Sequence, residues 1–134
     1  MTIRGRSSWI GVALSVGAAA VSVLAMAATP FPSGSYESEG YTITFEKTGS
    51  FHYVKGERLM VDGEFVVKAD EIVLTDETGV DACVGPGRNP GRYRWRVDAG
   101  SLSFATIHDS CNDRVRGITG QKWTRKRDRS RVAQ

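Results

Sequence analysis

The stretch Gly91 to Cys111, GRYRWRVDAGSLSFATIHDSC, decides the fold of this chain. Apolar residues alternate with charged or polar ones on both sides of Ala99-Gly100, which supplies a tight turn. The apolar positions are Tyr93, Trp95, Val97, Leu102 and Phe104. This pattern predicts a β-hairpin with one aromatic face. Because an isolated hairpin is marginally stable in water, that face needs a larger sheet or a barrel to cover it.

The same alternation recurs along most of residues 33–125, separated by turn residues. Further strands are predicted over Gly34 to Glu39, Tyr41 to Phe45, Phe51 to Tyr53, Arg58 to Val67 with a bulge at Asp62-Gly63, Glu71 to Thr75, and Ile118 to Arg125. Asp76 to Gly79 and Gly85 to Gly91 are predicted as a turn and a flexible loop. No window has the periodicity and caps of a helix. The sequence therefore predicts an all-β fold, an antiparallel up-and-down meander of about eight strands that closes into a small barrel and so removes exposed edges.

The first 27 residues have the pattern of a secretory signal peptide. Arg4 and Arg6 precede an uncharged apolar run that ends in Ala25-Met26-Ala27, a small-x-small cleavage signal. The alternative is a retained membrane anchor, but the Pro-containing break that follows favours cleavage. We therefore expect a signal peptide over 1–27, a barrel domain over 28–125, a secreted or periplasmic location, and no stable membrane span after cleavage.

Two cysteines, Cys83 and Cys111, lie in the segment predicted to be exported. An oxidising compartment favours a disulfide between them. A metal site or a redox pair is the alternative reading, but the chain has no C-x-x-C and only His52 and His108 as further imidazole ligands. We predict a disulfide, no metal site and no cofactor.

The net charge of +3 is unevenly distributed. Lys and Arg crowd the C-terminal end, whereas the barrel body has more acidic than basic residues. Residues 126–134 are predicted to be a basic, disordered tail, with contact to an anionic surface as the alternative. Arg92, Arg94 and Arg96 alternate with aromatic rings, so rings and charges point to opposite sides of the sheet. These arginines are predicted to form a solvated outer face, and nucleic acid is not predicted as a partner.

The order of the aromatic motifs resembles that of the small lipocalin-like (calycin) barrels of secreted bacterial proteins. The motifs are G-x-Y at Gly34 to Tyr36, Y-x-I-x-F and F-x-Y in the next two strands, G-x-F-x-V at Gly63 to Val67, Y-x-W, G-x-L-x-F, and Trp123 with Arg125. The resemblance implies that Tyr36, Trp123 and Arg125 close the base of the barrel, with the Arg125 cation over the Tyr36 ring. It also implies an interior that binds ligands.

Residues that could perform catalysis are sparse. The chain lacks a G-x-S-x-G elbow, and His108 is predicted to lie at the rim, pointing away from Asp109. The loop carboxylates match no calcium-loop spacing, so we predict that they are solvated; they are Asp76, Glu77, Asp81, Asp109 and Asp113. The prediction is that the protein is not an enzyme.

The aromatic residues on the inward faces give the best indication of function. The predicted ligand-binding residues of the barrel interior are Tyr41, Phe45, Tyr53, Phe65, Tyr93, Trp95 and Phe104. A small barrel either fills its interior with such rings or leaves room for one small ligand. The first hypothesis is therefore binding of a small apolar or amphipathic molecule. The alternative is a protein-interaction module, inhibitor-like or envelope-associated, with a filled core.

Overall fold

The computed structural model describes residues 29–127, together with Ala20 and Ser22. The predicted signal peptide over 1–27, apart from those two residues, and the predicted tail beyond Arg127 lie outside the described residues. The elements are β1 (Gly34–Ser38), β2 (Tyr41–Phe45), β3 (Ser50–Lys55), β4 (Arg58–Lys68), β5 (Glu71–Thr78), β6 (Gly91–Asp98), β7 (Ser101–His108), α1 (Asn112–Ile118) and β8 (Trp123–Arg125).

The eight strands form one closed antiparallel barrel in sequence order, which confirms the predicted fold class. The last strand pairs with the first, Tyr36 opposite Arg125, so the meander closes on itself. The predicted hairpin is present, with Ala99 and Gly100 both at positive φ in its turn. A register shift between Asp62 and Gly63 confirms the predicted bulge in β4.

The structure differs from the sequence prediction next to the two long connections, β5 to β6 and β7 to β8. β5 extends to Thr78 instead of turning at Asp76, because its last residues still pair with β4. Asn89 covers the other edge of this extension: its side chain accepts a hydrogen bond from the Asp76 N–H and donates one to the Asp76 carbonyl. A side-chain amide thus replaces a missing strand partner at this position.

The prediction of no helix was wrong, since α1 occupies Asn112–Ile118 and includes the residue at which the last strand was predicted to begin. The Cys111 sulfur accepts a hydrogen bond from the Arg114 N–H and caps the helix. Arg114 and Ile118, four residues apart, are its buried side chains. Seven residues are too few to show helical periodicity, and a helix this short depends on packing for its stability.

The two ends of the barrel differ. We call the base the end that carries the turns after β2, β4 and β6 and the incoming residues 29–33. The loop end carries residues 79–90 and α1. At the base the Phe31 ring packs against Phe45, Phe65 and Trp95 with centroids 5.0 to 5.7 Å apart, so aromatic side chains fill this half of the interior.

Arg125 also contributes to the closure of the base. Its guanidinium carbon lies 5.2 Å from the centroid of the Tyr36 ring, and it donates hydrogen bonds to the Tyr36 hydroxyl and the Ser33 carbonyl. Trp123, fully buried, donates its indole N–H to the Ile118 carbonyl and so connects β8 to the end of α1. Within the described residues, no helix is long and apolar enough to cross a membrane.

Candidate functional site

A cavity of about 380 Å³ opens at the loop end of the barrel. Its apolar wall consists of Tyr41, Ile43, Phe51, Tyr53, Val61 and Ile118. Tyr41 and Tyr53 come from neighbouring strands, and their rings stack with centroids 5.2 Å apart and planes 10° from parallel. α1 forms one side of the cavity, where Gly117 adds no side chain and the Tyr53 ring approaches its backbone. The cavity exists because the rings that fill the base do not extend to this end.

The seven predicted ligand-binding residues divide between the two halves of the barrel. Tyr41 and Tyr53 line the cavity. The rings at the base pack on one another, since Phe45 has centroids 5.2 Å from Phe65 and 6.0 Å from Phe104, while the Trp95 indole N–H donates to the Ala69 carbonyl. Tyr93 is fully buried, with its hydroxyl on the Asp109 carboxylate. The structure therefore brings two of the seven side chains to an open space.

The mouth of the cavity is polar and carries more negative than positive groups. Glu39, Asp81, Asp113, Arg116 and Gln121 lie around it. Arg116 forms an exposed ion pair with Asp113. Burial, together with the nearby Tyr41 and Asp81 groups, raises the pKa of Tyr53 to about 12, so its hydroxyl stays protonated at neutral pH. That hydroxyl lies 3.4 Å from the Gly117 carbonyl, to which it donates.

Arg114, which lines the cavity together with Asp76, is held in a buried polar network that connects three segments. Its Nε and Nη2 both donate to the Asp109 carboxylate. Nη2 also donates to the Arg88 carbonyl, and Nη1 donates to the Asn89 side-chain oxygen. Nη1 further lies 3.2 Å from Asp76 Oδ1. These five contacts equal the number of N–H donors on a guanidinium group. The Arg114 side chain is only 3% exposed, so its charge is fully engaged inside the protein.

The two carboxylates of this network are well supplied with donors. Asp109 accepts from Arg114, from the Tyr93 hydroxyl and from the Cys111 N–H. Burial alone would raise the pKa of Asp109, but the hydrogen bonds from Arg114, Tyr93 and the Cys111 N–H outweigh burial and lower it. Burial and the same carboxylate raise the pKa of Tyr93, so Tyr93 remains a neutral donor. Asp76 accepts a hydrogen bond from the Cys83 N–H.

The prediction that these loop acids are solvated was wrong for Asp76 and Asp109, whose side chains are 2% and 0% exposed. It is right for Glu77, Asp81 and Asp113, which are exposed. No local pattern marks Arg114 as their partner, because β5, the loop before β6 and α1 meet only in the folded barrel. The spacing of Asp109, Cys111 and Arg114 was the available signal, since Asp109 and Cys111 both contact the first turn of α1.

The predicted disulfide between Cys83 and Cys111 is present, with both cysteines buried. It joins the loop 79–90 to the N-cap of α1, and the backbone N–H of each cysteine donates to a carboxylate of the Arg114 network. The covalent link and the polar network therefore fix the same wall of the cavity.

The two histidines lie away from the cavity. His52 Nδ1 contacts the Asp62 carboxylate on β4, and the His52 side chain is 44% exposed on the outer face of the barrel. His108 is exposed near the end of β7. Within residues 29–127, no group of three or more His, Cys, Asp or Glu side chains is arranged to hold a metal ion.

The chain has no match to a protein-family profile, to a curated protein or to a solved structure. Its closed eight-stranded antiparallel barrel is consistent with a lipocalin-like fold.

Proposed function

We propose that this protein is an exported, non-enzymatic barrel that binds a small apolar or amphipathic molecule in its loop-end cavity. The observation that carries the proposal is the cavity itself. Its volume of about 380 Å³ falls within the range of about 300–1,000 Å³ typical of small-molecule sites. Six apolar or aromatic side chains line the cavity beside seven polar or charged ones, so it can enclose an apolar body while its polar groups orient a polar end.

Two features support a binding role in preference to catalysis. Neither imidazole nor thiol groups line the cavity among the described residues, and the Tyr53 hydroxyl, with a pKa of about 12, is a poor base at neutral pH. The wall formed by α1 is fixed by buried contacts, which limits the ordering cost of binding. Export is supported by the disulfide and by the pattern of residues 1–27.

A protein-interaction module with a filled core is the other reading of the sequence. The base supports a filled core, because Phe31, Phe45, Phe65 and Trp95 occupy it. The loop end favours ligand binding, since its aromatic side chains stand at the edge of an open space.

Titration with the neutral fluorescent probe 1-N-phenylnaphthylamine tests the proposal. We expect saturable fluorescence enhancement in the purified protein. Gly117→Leu adds a side chain beside Tyr53, where even a Cβ would lie 3.3 Å from the hydroxyl, and should block the probe. Asn112→Leu adds the same side chain at an exposed position of the same helix and serves as the control.

The two variants separate a blocked cavity from a lost fold. Circular dichroism should show the same strand content in both variants, and only Gly117→Leu should lose saturable binding. Gly117→Ala, which adds one methyl group, should retain most of it. A folded protein that never shows saturable binding, or a Gly117→Leu variant that binds the probe as well as the unchanged chain does, would overturn the proposal.

A further inference from the structure

We infer that the ligand of this cavity is an organic cation, an ammonium or similar group on an apolar body. The inference rests on the proposed function, because it assigns a charge to the molecule that the cavity takes. It follows from the charges that remain unengaged at the cavity once every internal ion pair is counted.

The cations that line the cavity are already engaged. Each nitrogen of Arg114 donates to an acceptor within the buried network, so its guanidinium has no free donor for an anionic ligand. Arg116 pairs with Asp113 at the mouth. An anionic ligand would therefore find only a solvated guanidinium that is already paired with Asp113, and the four carboxylates of the lining outnumber its two guanidinium groups.

The anions that line the cavity are not all engaged. Within residues 29–127, neither Glu39 nor Asp81 lies within ion-pair distance of a basic side chain. Both are exposed, and they come from different segments, Glu39 from the turn after β1 and Asp81 from the loop after β5. A ligand whose apolar body enters the cavity would leave its polar end near these two carboxylates.

The stacked rings of Tyr41 and Tyr53 also favour a positively charged ligand. Aromatic faces attract cations, and the Lys55 ammonium already lies 5.3 Å from the centroid of the Tyr41 ring. Tyr53 is protonated at neutral pH and so adds no charge of its own. The Lys55 ammonium forms no ion pair within residues 29–127 and competes with a cationic ligand for the Tyr41 ring.

A bare metal ion fits the site poorly. Hard cations require several oxygen ligands at short distance, and no cluster of three acidic, His or Cys side chains occurs in the described part of the chain. Two separated carboxylates and a pair of rings suit a larger cation with dispersed charge and an apolar body.

Three probes that share one apolar body test the charge. They are 2-(1-naphthyl)ethylammonium, 2-(1-naphthyl)ethanol and 3-(1-naphthyl)propionate, compared by isothermal titration calorimetry at low and high salt. Each exposed carboxylate is worth about two- to fivefold in affinity, so the cation should bind about tenfold more tightly than the alcohol. The carboxylate should bind most weakly, and added salt should reduce these differences.

Variants locate the source of the preference. Glu39→Gln and Asp81→Asn should each weaken binding of the ammonium probe about two- to fivefold, and binding of the alcohol probe by a smaller factor. Glu46→Gln removes the same charge from an exposed turn at the base and should change neither. Lys55→Met removes the protein's own cation from the Tyr41 ring and should strengthen binding of the ammonium probe about two- to fivefold.

The outcomes distinguish this inference from the proposed function. If the alcohol binds and the ammonium probe binds no more tightly, the cation inference fails and ligand binding stands. If the ammonium preference is undiminished in both carboxylate variants, its assignment to Glu39 and Asp81 is overturned. If none of the three probes binds a folded protein, the proposed function fails as well.

Discussion

Replacing Arg114 with Met should destabilise the protein more than any change at a neighbouring helix position. The guanidinium lies between the buried carboxylates of Asp76 and Asp109 and also donates to Asn89 and the Arg88 carbonyl. Met has a similar length and no charge. The substitution therefore leaves two buried carboxylates without their cation while preserving most of the packing volume.

The size of the effect follows from the burial of these groups. Breaking a buried ion pair by removing one partner typically costs about 3–5 kcal/mol, because the remaining charge is uncompensated. Hydrogen bonds from Tyr93, Cys83 and Cys111 still reach the carboxylates, so we expect the lower half of that range. For a domain of this size, a loss of about 3 kcal/mol lowers the melting temperature by at least about 12 °C.

The measurement is urea unfolding followed by tryptophan fluorescence, with thermal melting by circular dichroism. Arg116→Met provides the control: it lies on the same helix, but its side chain is 75% exposed and its pair with Asp113 is solvated. Such a surface pair contributes at most about 1 kcal/mol. If Arg114→Met costs no more than Arg116→Met, the reasoning is refuted.

A combined variant checks the cause. Adding Asp76→Asn and Asp109→Asn to Arg114→Met removes the uncompensated charges and keeps one amide oxygen for the Cys83 N–H and one for the Cys111 N–H. The Tyr93 hydroxyl, which can also accept, then faces the new amide NH2 group at position 109. The triple variant should be more stable than Arg114→Met alone. Equal stability would mean that lost packing, and not buried charge, accounts for the effect.

Two further predictions concern the same end of the barrel. Cys83→Ser or Cys111→Ser opens a link across 28 residues and should cost about 3 to 4 kcal/mol in the chain-entropy account. The melting temperature should fall while the strand content stays unchanged, and an unchanged melting temperature would mean that the thiols are unpaired. The pKa of Asp109 is lowered in the folded state, so its ionised form stabilises the fold at pH values above the ordinary carboxyl pKa of 3.8. This contribution is lost as the pH falls toward the folded-state pKa. The free energy of unfolding, measured in urea, should therefore decline below about pH 4. Asp109→Asn should show a flatter decline, and coincident profiles would contradict the assignment.

Period-2 alternation was sufficient to predict the eight strands, the tight turns between them and the bulge, but not the end of β5 or the start of β8. Each strand has one buried face, so buried residues such as Ile43, Ile72 and Leu74 occupy every second position of their strands. A shift of strand register by one residue would move all of these side chains to the solvent face. Tight turns between such strands restrict the chain to a meander, and closure follows from the need to cover the edges. The fold class was therefore predictable from local pattern alone.

The connections were harder to predict because nonlocal contacts determine them. α1 is short, and Asn89 stands in for a strand partner through its side chain. Asp76 and Asp109 have the local appearance of solvated turn residues, and only the approach of Arg114 in three dimensions compensates their burial. The cavity depends on the same contacts, since its position requires knowing that Phe31 fills the base and that Gly117 leaves space beside Tyr53.

The position of α1 connects stability to the proposed binding role. A seven-residue helix has little stability of its own in water, so its place beside the cavity depends on Arg114, Ile118 and the link through Cys111. Arg114 and Ile118 belong to the wall of the cavity, whereas Glu39 and Asp81 lie exposed at its mouth. Because the wall is already ordered, a ligand would lose little affinity to ordering it, and the charges at the mouth would then set its preference. The buried network thus shapes the site without contributing the charge that selects the ligand.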